Sequence, residues 1–192
     1  HLLQLSAAEI SGADSLGAPV PLCFRADCNH RNPDCTAHLQ GEGRSVFASG
    51  GALYYMGRDP DRHYGLYRMD IHTGERTLSS RLPLLDRAGD SFGYSYCVYG
   101  SYMALELNRW RGDAKESAIY LIKIGEDGGT DLEPIFGGEG NTAISYSCIQ
   151  MRDGWIFVWA TDTATHTTTL CGYDMETGET RALVEDWHTV ST

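Results

Sequence analysis

Apolar residues along this chain come in short bursts, broken by glycine and polar turns, and the bursts recur. Three begin alike, at Gly51-Ala52-Leu53-Tyr54-Tyr55, Gly100-Ser101-Tyr102-Met103-Ala104 and Gly154-Trp155-Ile156-Phe157-Val158. A second burst follows each, at Leu66-Tyr67, Ile119-Tyr120 and Leu170-Cys171. Each of these runs into a polar turn: Asp70-Ile71-His72-Thr73-Gly74-Glu75, Glu126-Asp127-Gly128-Gly129 and Asp174-Met175-Glu176-Thr177-Gly178-Glu179. The first and third share the spelling Leu-x3-Asp-x2-Thr-Gly-Glu, counted from Leu66 and Leu170. Three independent markers therefore keep one period of roughly 50 residues, in the range of propeller blades.

Within a period the pattern is that of strands. Tyr94, Tyr96 and Val98, then Tyr102, Ala104, Leu105 and Leu107, are aromatic or aliphatic, with Gly and Ser between them. No segment holds a helical apolar period with caps at both ends. Asp-Gly and Thr-Gly pairs mark hairpins, because glycine accepts the positive φ such turns require. The spacing predicts four strands per period, near 43–48, 51–58, 64–71 and 75–80, then 92–98, 101–108, 117–124 and 130–136, then 144–151, 154–161, 167–174 and 179–185. Leu2-Leu3-Gln4-Leu5 and Ala18-Pro19-Val20-Pro21-Leu22 read as the third and fourth strands of an earlier blade.

The expected architecture is all-β, a β-propeller fragment of about three and a half four-stranded antiparallel blades. It forms one domain over residues 1–192: a half blade with a Cys-rich loop (1–40), two blades (41–90 and 91–140), then a blade and the start of the next (141–192). Rings close with about four to eight blades, so this is an incomplete ring. Its open edges are expected to pair with missing blades or with another copy.

Composition narrows the function. The 192 residues are 42% hydrophobic and 21% charged, apolar enough for a core. A formal charge of −11 argues against gripping nucleic acid or anionic lipid. No apolar run reaches the ~18 residues of a membrane span. A start at His1 rather than Met is expected of a processed or truncated chain.

The densest chemistry is Cys23-x4-Cys28-x-His30-x4-Cys35-x2-His38. Zn²⁺ takes four sulfur or nitrogen ligands tetrahedrally, and Cys23, Cys28, His30 and Cys35 can supply them, with His38 spare. Such a closed set is structural, with no position left for catalytic water. The competing reading is disulfide bonding, although an odd number of cysteines in the cluster leaves one thiol over. Cys97, Cys148 and Cys171 lie in apolar strands and read as small core hydrophobes.

Other motifs are weaker. Gly89-Asp90-Ser91-Phe92-Gly93 has the spelling of a nucleophile elbow, which needs a strand before it and a helix after it. Strand-like residues follow instead, so an inter-blade loop is expected there. Arg111-Gly112-Asp113 reads as an exposed loop between two strands, and Asp59-Pro60-Asp61 and Glu126-Asp127-Gly128 as turns without the ligand spacing of a calcium loop. Tyr54, Tyr55, Tyr94, Tyr96, Tyr99, Tyr102, Trp155 and Trp159 are expected in inter-blade packing, with Trp110 and Trp187 better placed for exposed contacts.

The chain carries two resemblances. Leu53-Tyr54-Tyr55, Leu66-Tyr67-Arg68-Met69-Asp70 and Ile156-Phe157-Val158-Trp159-Ala160-Thr161-Asp162 resemble the repeats of bacterial propellers of the LDL-receptor-type, TolB-like group. Val20 to Ala37, with its three cysteines, resembles a segment of secreted propeller lipoproteins of gut Firmicutes, largely of unknown function. The resemblance implies an extracellular or cell-surface protein, lipid-anchored when intact, with no assigned activity. The expected function is a non-enzymatic binding module for a protein, peptide or glycan, carrying a structural metal-clamped loop. The alternative is a propeller-class hydrolase with its site at the central channel, for which only Asp90 and Asp153 stand near suitable positions.

Overall fold

The computed structural model describes residues 3–4, 20–21, 27–29, 35, 44–58, 64–70, 73, 75–82, 90–111, 113–125 and 133–188. Every regular element among them is a strand. β1 (Leu3–Gln4) and β2 (Val20–Pro21) pair antiparallel. The first full blade comprises β3 (Arg44–Ser49), β4 (Ala52–Arg58), β5 (Tyr64–Met69) and β6 (Arg76–Arg81). The second holds β7 (Asp90–Tyr99), β8 (Tyr102–Arg111), β9 (Ala114–Lys123) and β10 (Pro134–Gly137). The third holds β11 (Ile144–Arg152), β12 (Trp155–Asp162), β13 (Thr167–Asp174) and β14 (Thr180–His188). In each sheet the strands lie side by side in chain order, all antiparallel. The fold is therefore an all-β propeller fragment of three blades and a partial one, and the described strands do not close a ring.

Most blade faces are apolar because a blade can pack a neighbour on each side. On β8 and β9 the pairs Met103–Ile122, Leu105–Tyr120 and Leu107–Ala118 share one face, while Ala104–Leu121, Glu106–Ile119 and Asn108–Ser117 share the other. The first face meets Met56, Leu66 and Phe92, and Tyr64 sets its ring edge-on to Phe92 at 5.0 Å between centroids. Ser49 Oγ donates to the Gly100 carbonyl at 2.8 Å across the same junction. The second face meets Met151, Ile156 and Val158 of the third blade, with Phe136 beside them. Ile119, Ile156 and Val158 are fully buried, each contributing about 1.5–3 kcal/mol by leaving water.

The repeated Asp-x2-Thr-Gly-Glu spelling folds the same way twice. Asp70 Oδ1 accepts from the Thr73 amide at 2.9 Å, and Asp174 Oδ1 from the Glu176 and Thr177 amides at 2.9 and 3.3 Å. Each threonine hydroxyl then accepts from the glutamate amide, at 3.2 Å in the first turn and 3.3 Å in the third. Gly178 closes the third turn at φ 74°, where a Cβ would meet nothing closer than the Tyr173 hydroxyl at 3.8 Å. Strain alone then sets the cost of a side chain there. Gly178→Ala should lower the unfolding free energy by about 1–2 kcal/mol, read from a shifted urea midpoint at unchanged slope.

Candidate functional site

Three places concentrate polar chemistry against the sheets. The first is the outer face of the first blade, where Tyr55, Met69, Leu53 and Tyr67 point away from the second blade. Cys35 is fully buried on that face and Cys28 packs on the same cluster. Arg76 fastens the contact: its Nη2 donates to the Cys35 carbonyl at 2.9 Å, and its guanidinium hydrogen-bonds the Tyr55 hydroxyl. Burial pushes the Tyr55 phenol up, and Arg76 draws part of that back. Cys28 and Cys35 thus sit on the face where a preceding blade would pack.

The second place lies between the second and third blades. β7 bulges between Phe92 and Tyr96, opposite Glu106 of β8. Gly93 lies in that bulge, and a Cβ there would occupy the space of the Glu106 carboxyl group. Glu106, 7% exposed, accepts from Ser95 Oγ at 2.6 Å and from Asn108 Nδ2 at 2.7 Å. The Ser95 oxygen in turn accepts from the backbone amide of Cys148 at 3.0 Å, so a buried carboxylate ties β8, β7 and β11 together. A carboxylate this deep is tolerated only because its oxygens find donors.

Cys97, two residues beyond Ser95, meets Cys148 from across the blade junction. The thiols hydrogen-bond each other, and the bond holds Cys97 below the usual thiol range despite its burial. Cys148 is held far above it by that bond, by burial and by the charges of Cys97 and Glu106.

The third place is a cleft of about 470 Å³ on the same face of the third blade, beside the four-residue strand β10. Phe136, Ile144 and Tyr146 form its apolar wall, and Thr167, Thr169, Thr180, Asp162 and Arg181 its polar one. Phe136 and Tyr146 face each other at 5.8 Å, and Arg181 lies over the Trp155 ring at 4.2 Å. Asp162 accepts from the Ala164 and Thr165 amides at 2.9 and 2.8 Å, and those bonds lower its carboxyl pKa.

Of the proposed metal ligands, Cys28 and Cys35 come together on one apolar cluster, while Cys23 and His30, with the spare His38, lie outside the described residues. Among the described residues no three His, Cys, Asp or Glu side chains converge as a metal site. Ser91 lies within β7, opposite Asn108, and not in a loop: pairing to β8 extends the strand back to Asp90, and no elbow forms. Arg111 pairs with Ala114 across a tight turn holding the exposed Asp113, and Trp110 beside it is half exposed. Tyr99, expected in packing, is 47% exposed at the end of β7. Asp153, at φ 51°, holds Arg152 at 3.0 Å on the surface. Asp59-Pro60-Asp61 and Glu126-Asp127-Gly128 lie outside the described residues.

Sequence reading missed the Ser95–Glu106–Asn108 network and the Cys97–Cys148 contact. The signal for the second was present: the two cysteines stand one repeat apart, in the first strands of successive blades.

No protein-family model matches the chain, and no curated protein does. Among solved structures it resembles one described in a structural and mechanistic study of two prolyl endopeptidases, with a TM-score of 0.50 and 15% identity. The match covers 76% of this chain and 21% of that one, so this chain spans a small part of its neighbour's length. At that identity the likeness establishes the fold.

Proposed function

We propose that this chain is part of a non-catalytic, extracellular propeller that binds an extended peptide segment in the cleft between its second and third blades. The cleft carries the reading: about 470 Å³, one wall apolar and the other lined by threonine hydroxyls, bordering the edge strand β14. An exposed edge offers main-chain donors and acceptors to an added strand. A glycan site stacks sugars on open aromatic faces, whereas Phe136 and Tyr146 are turned towards each other here. The charge of −11 favours a cationic segment.

Fluorescence anisotropy with labelled cationic, neutral and anionic peptides, and with oligosaccharides, tests this. The cationic peptides should bind most tightly, and Thr169→Tyr, which fills the cleft, should weaken them about tenfold or more. Binding that ignores Thr169→Tyr would remove the cleft from the reading. Peptide cleavage lost in Ser91→Ala or Asp90→Asn would replace it with the hydrolase alternative.

The Cys loop belongs to the same reading as a structural clamp, with Cys23, Cys28, His30 and Cys35 holding zinc. Its support is the convergence of Cys28 and Cys35 on one buried cluster beneath the Arg76 anchor. Protein purified without chelator should carry one zinc per chain and lose it in Cys28→Ser. A zinc-free protein with fewer than six titratable thiols would favour disulfides.

A further inference from the structure

We propose that Cys97 and Cys148 are a redox-sensitive dithiol that closes into an inter-blade disulfide when a small-molecule disulfide oxidises it. Stacked sheets ordinarily lie about 10 Å apart, too far for this bond. At this junction they close up: the Cys148 amide on β11 reaches the Ser95 hydroxyl on β7 at 3.0 Å. Cys97 follows Ser95 by two residues and so repeats its orientation, and Cys97 and Cys148 pack on the same cluster. Both are free thiols and neither is sealed from solvent. Cys171 packs on the same cluster, but in β13, two strands away from β11 in the sheet.

The chemistry divides between the two sulfurs. The Cys97 thiolate attacks one sulfur of the oxidant disulfide, forming a mixed disulfide and releasing one small thiolate. Cys148 then gives up its proton and attacks the Cys97 sulfur, forming the protein disulfide and expelling the second small thiolate. The released thiolates take up the two protons the cysteines lose. Two electrons pass from the cysteines to the oxidant, and one disulfide and two thiols become one disulfide and two thiols. Cys97 is the less buried of the two thiols, which suits it to the first attack, and Cys148 packs on the same cluster across the junction, within reach as the resolving sulfur.

The folded chain is equilibrated with oxidised glutathione, alkylated in denaturant and mapped by mass spectrometry. The expected product is a reducible peptide pair joining Cys97 to Cys148, with a melting temperature about 5–15 °C above the reduced protein. Cys97→Ser should lose the pair and Cys171→Ser should keep it. If either variant fails to fold, the map of the native chain decides alone. Full alkylation of both cysteines after equilibration with the oxidant overturns the proposal, as does a bridge from either of them to Cys171.

Discussion

Gly93→Ala is expected to destabilise the protein by about 3 kcal/mol, in a strand where the same change would ordinarily stabilise by about 0.5–1 kcal/mol. The new Cβ takes the volume of the Glu106 carboxyl group, which is buried and held by Ser95 and Asn108. Displacing it breaks hydrogen bonds to a charge, worth about 1.5–3 kcal/mol each, and leaves their donors between two sheets. The Ser95 contact with the Cys148 amide shifts as well, so the junction of the second and third blades loosens with it. Urea unfolding of Gly93→Ala, Glu106→Ala and the double variant separates the causes. Once Glu106 is truncated the clash is gone, so the double variant should be no less stable than Glu106→Ala alone. A Gly93→Ala protein as stable as the parent would mean that the carboxylate is not held in the bulge.

The strands were legible because their signals are local. Gly51, Gly100 and Gly154 stand in the turns that lead into the second strand of each blade, and β13 spans the predicted residues 167–174. Contacts between blades were not, because a propeller buries both faces of a sheet. In an ordinary half-solvated strand the glutamate of Leu105-Glu106-Leu107 would face water; here it faces the third blade. The β7 bulge that makes room for it leaves no turn signal, since residues 93–95 read as unbroken strand. Cys97 and Cys148 read correctly as core-packed residues, but periodicity within a strand says nothing about what lies across a junction. The cleft is formed where the four-residue strand β10 meets the face of the third blade, a junction that the pattern within one strand does not encode.

Arg76→Leu should release the cysteine segment from the first blade while leaving the other two blades folded. The guanidinium serves two buried acceptors at once, the Cys35 carbonyl and the Tyr55 hydroxyl, on a face whose remaining contacts are apolar. Leucine keeps much of the packing volume but removes both donors. Leaving a buried acceptor unpaired costs about 1–3 kcal/mol, so the docked state should lose about 3 kcal/mol in all. Cys35 is a sensitive reporter, since it has no exposed surface and reacts only when the segment lifts. Its alkylation by iodoacetamide, followed by peptide mapping, should accelerate about 100-fold, while alkylation of Cys171 in the third blade stays unchanged. Arg76→Lys retains charge and one donor and should fall between the two. Equal acceleration at Cys35 and Cys171 would show global unfolding in place of local release, and an unchanged Cys35 rate would show that the segment is held by something other than Arg76.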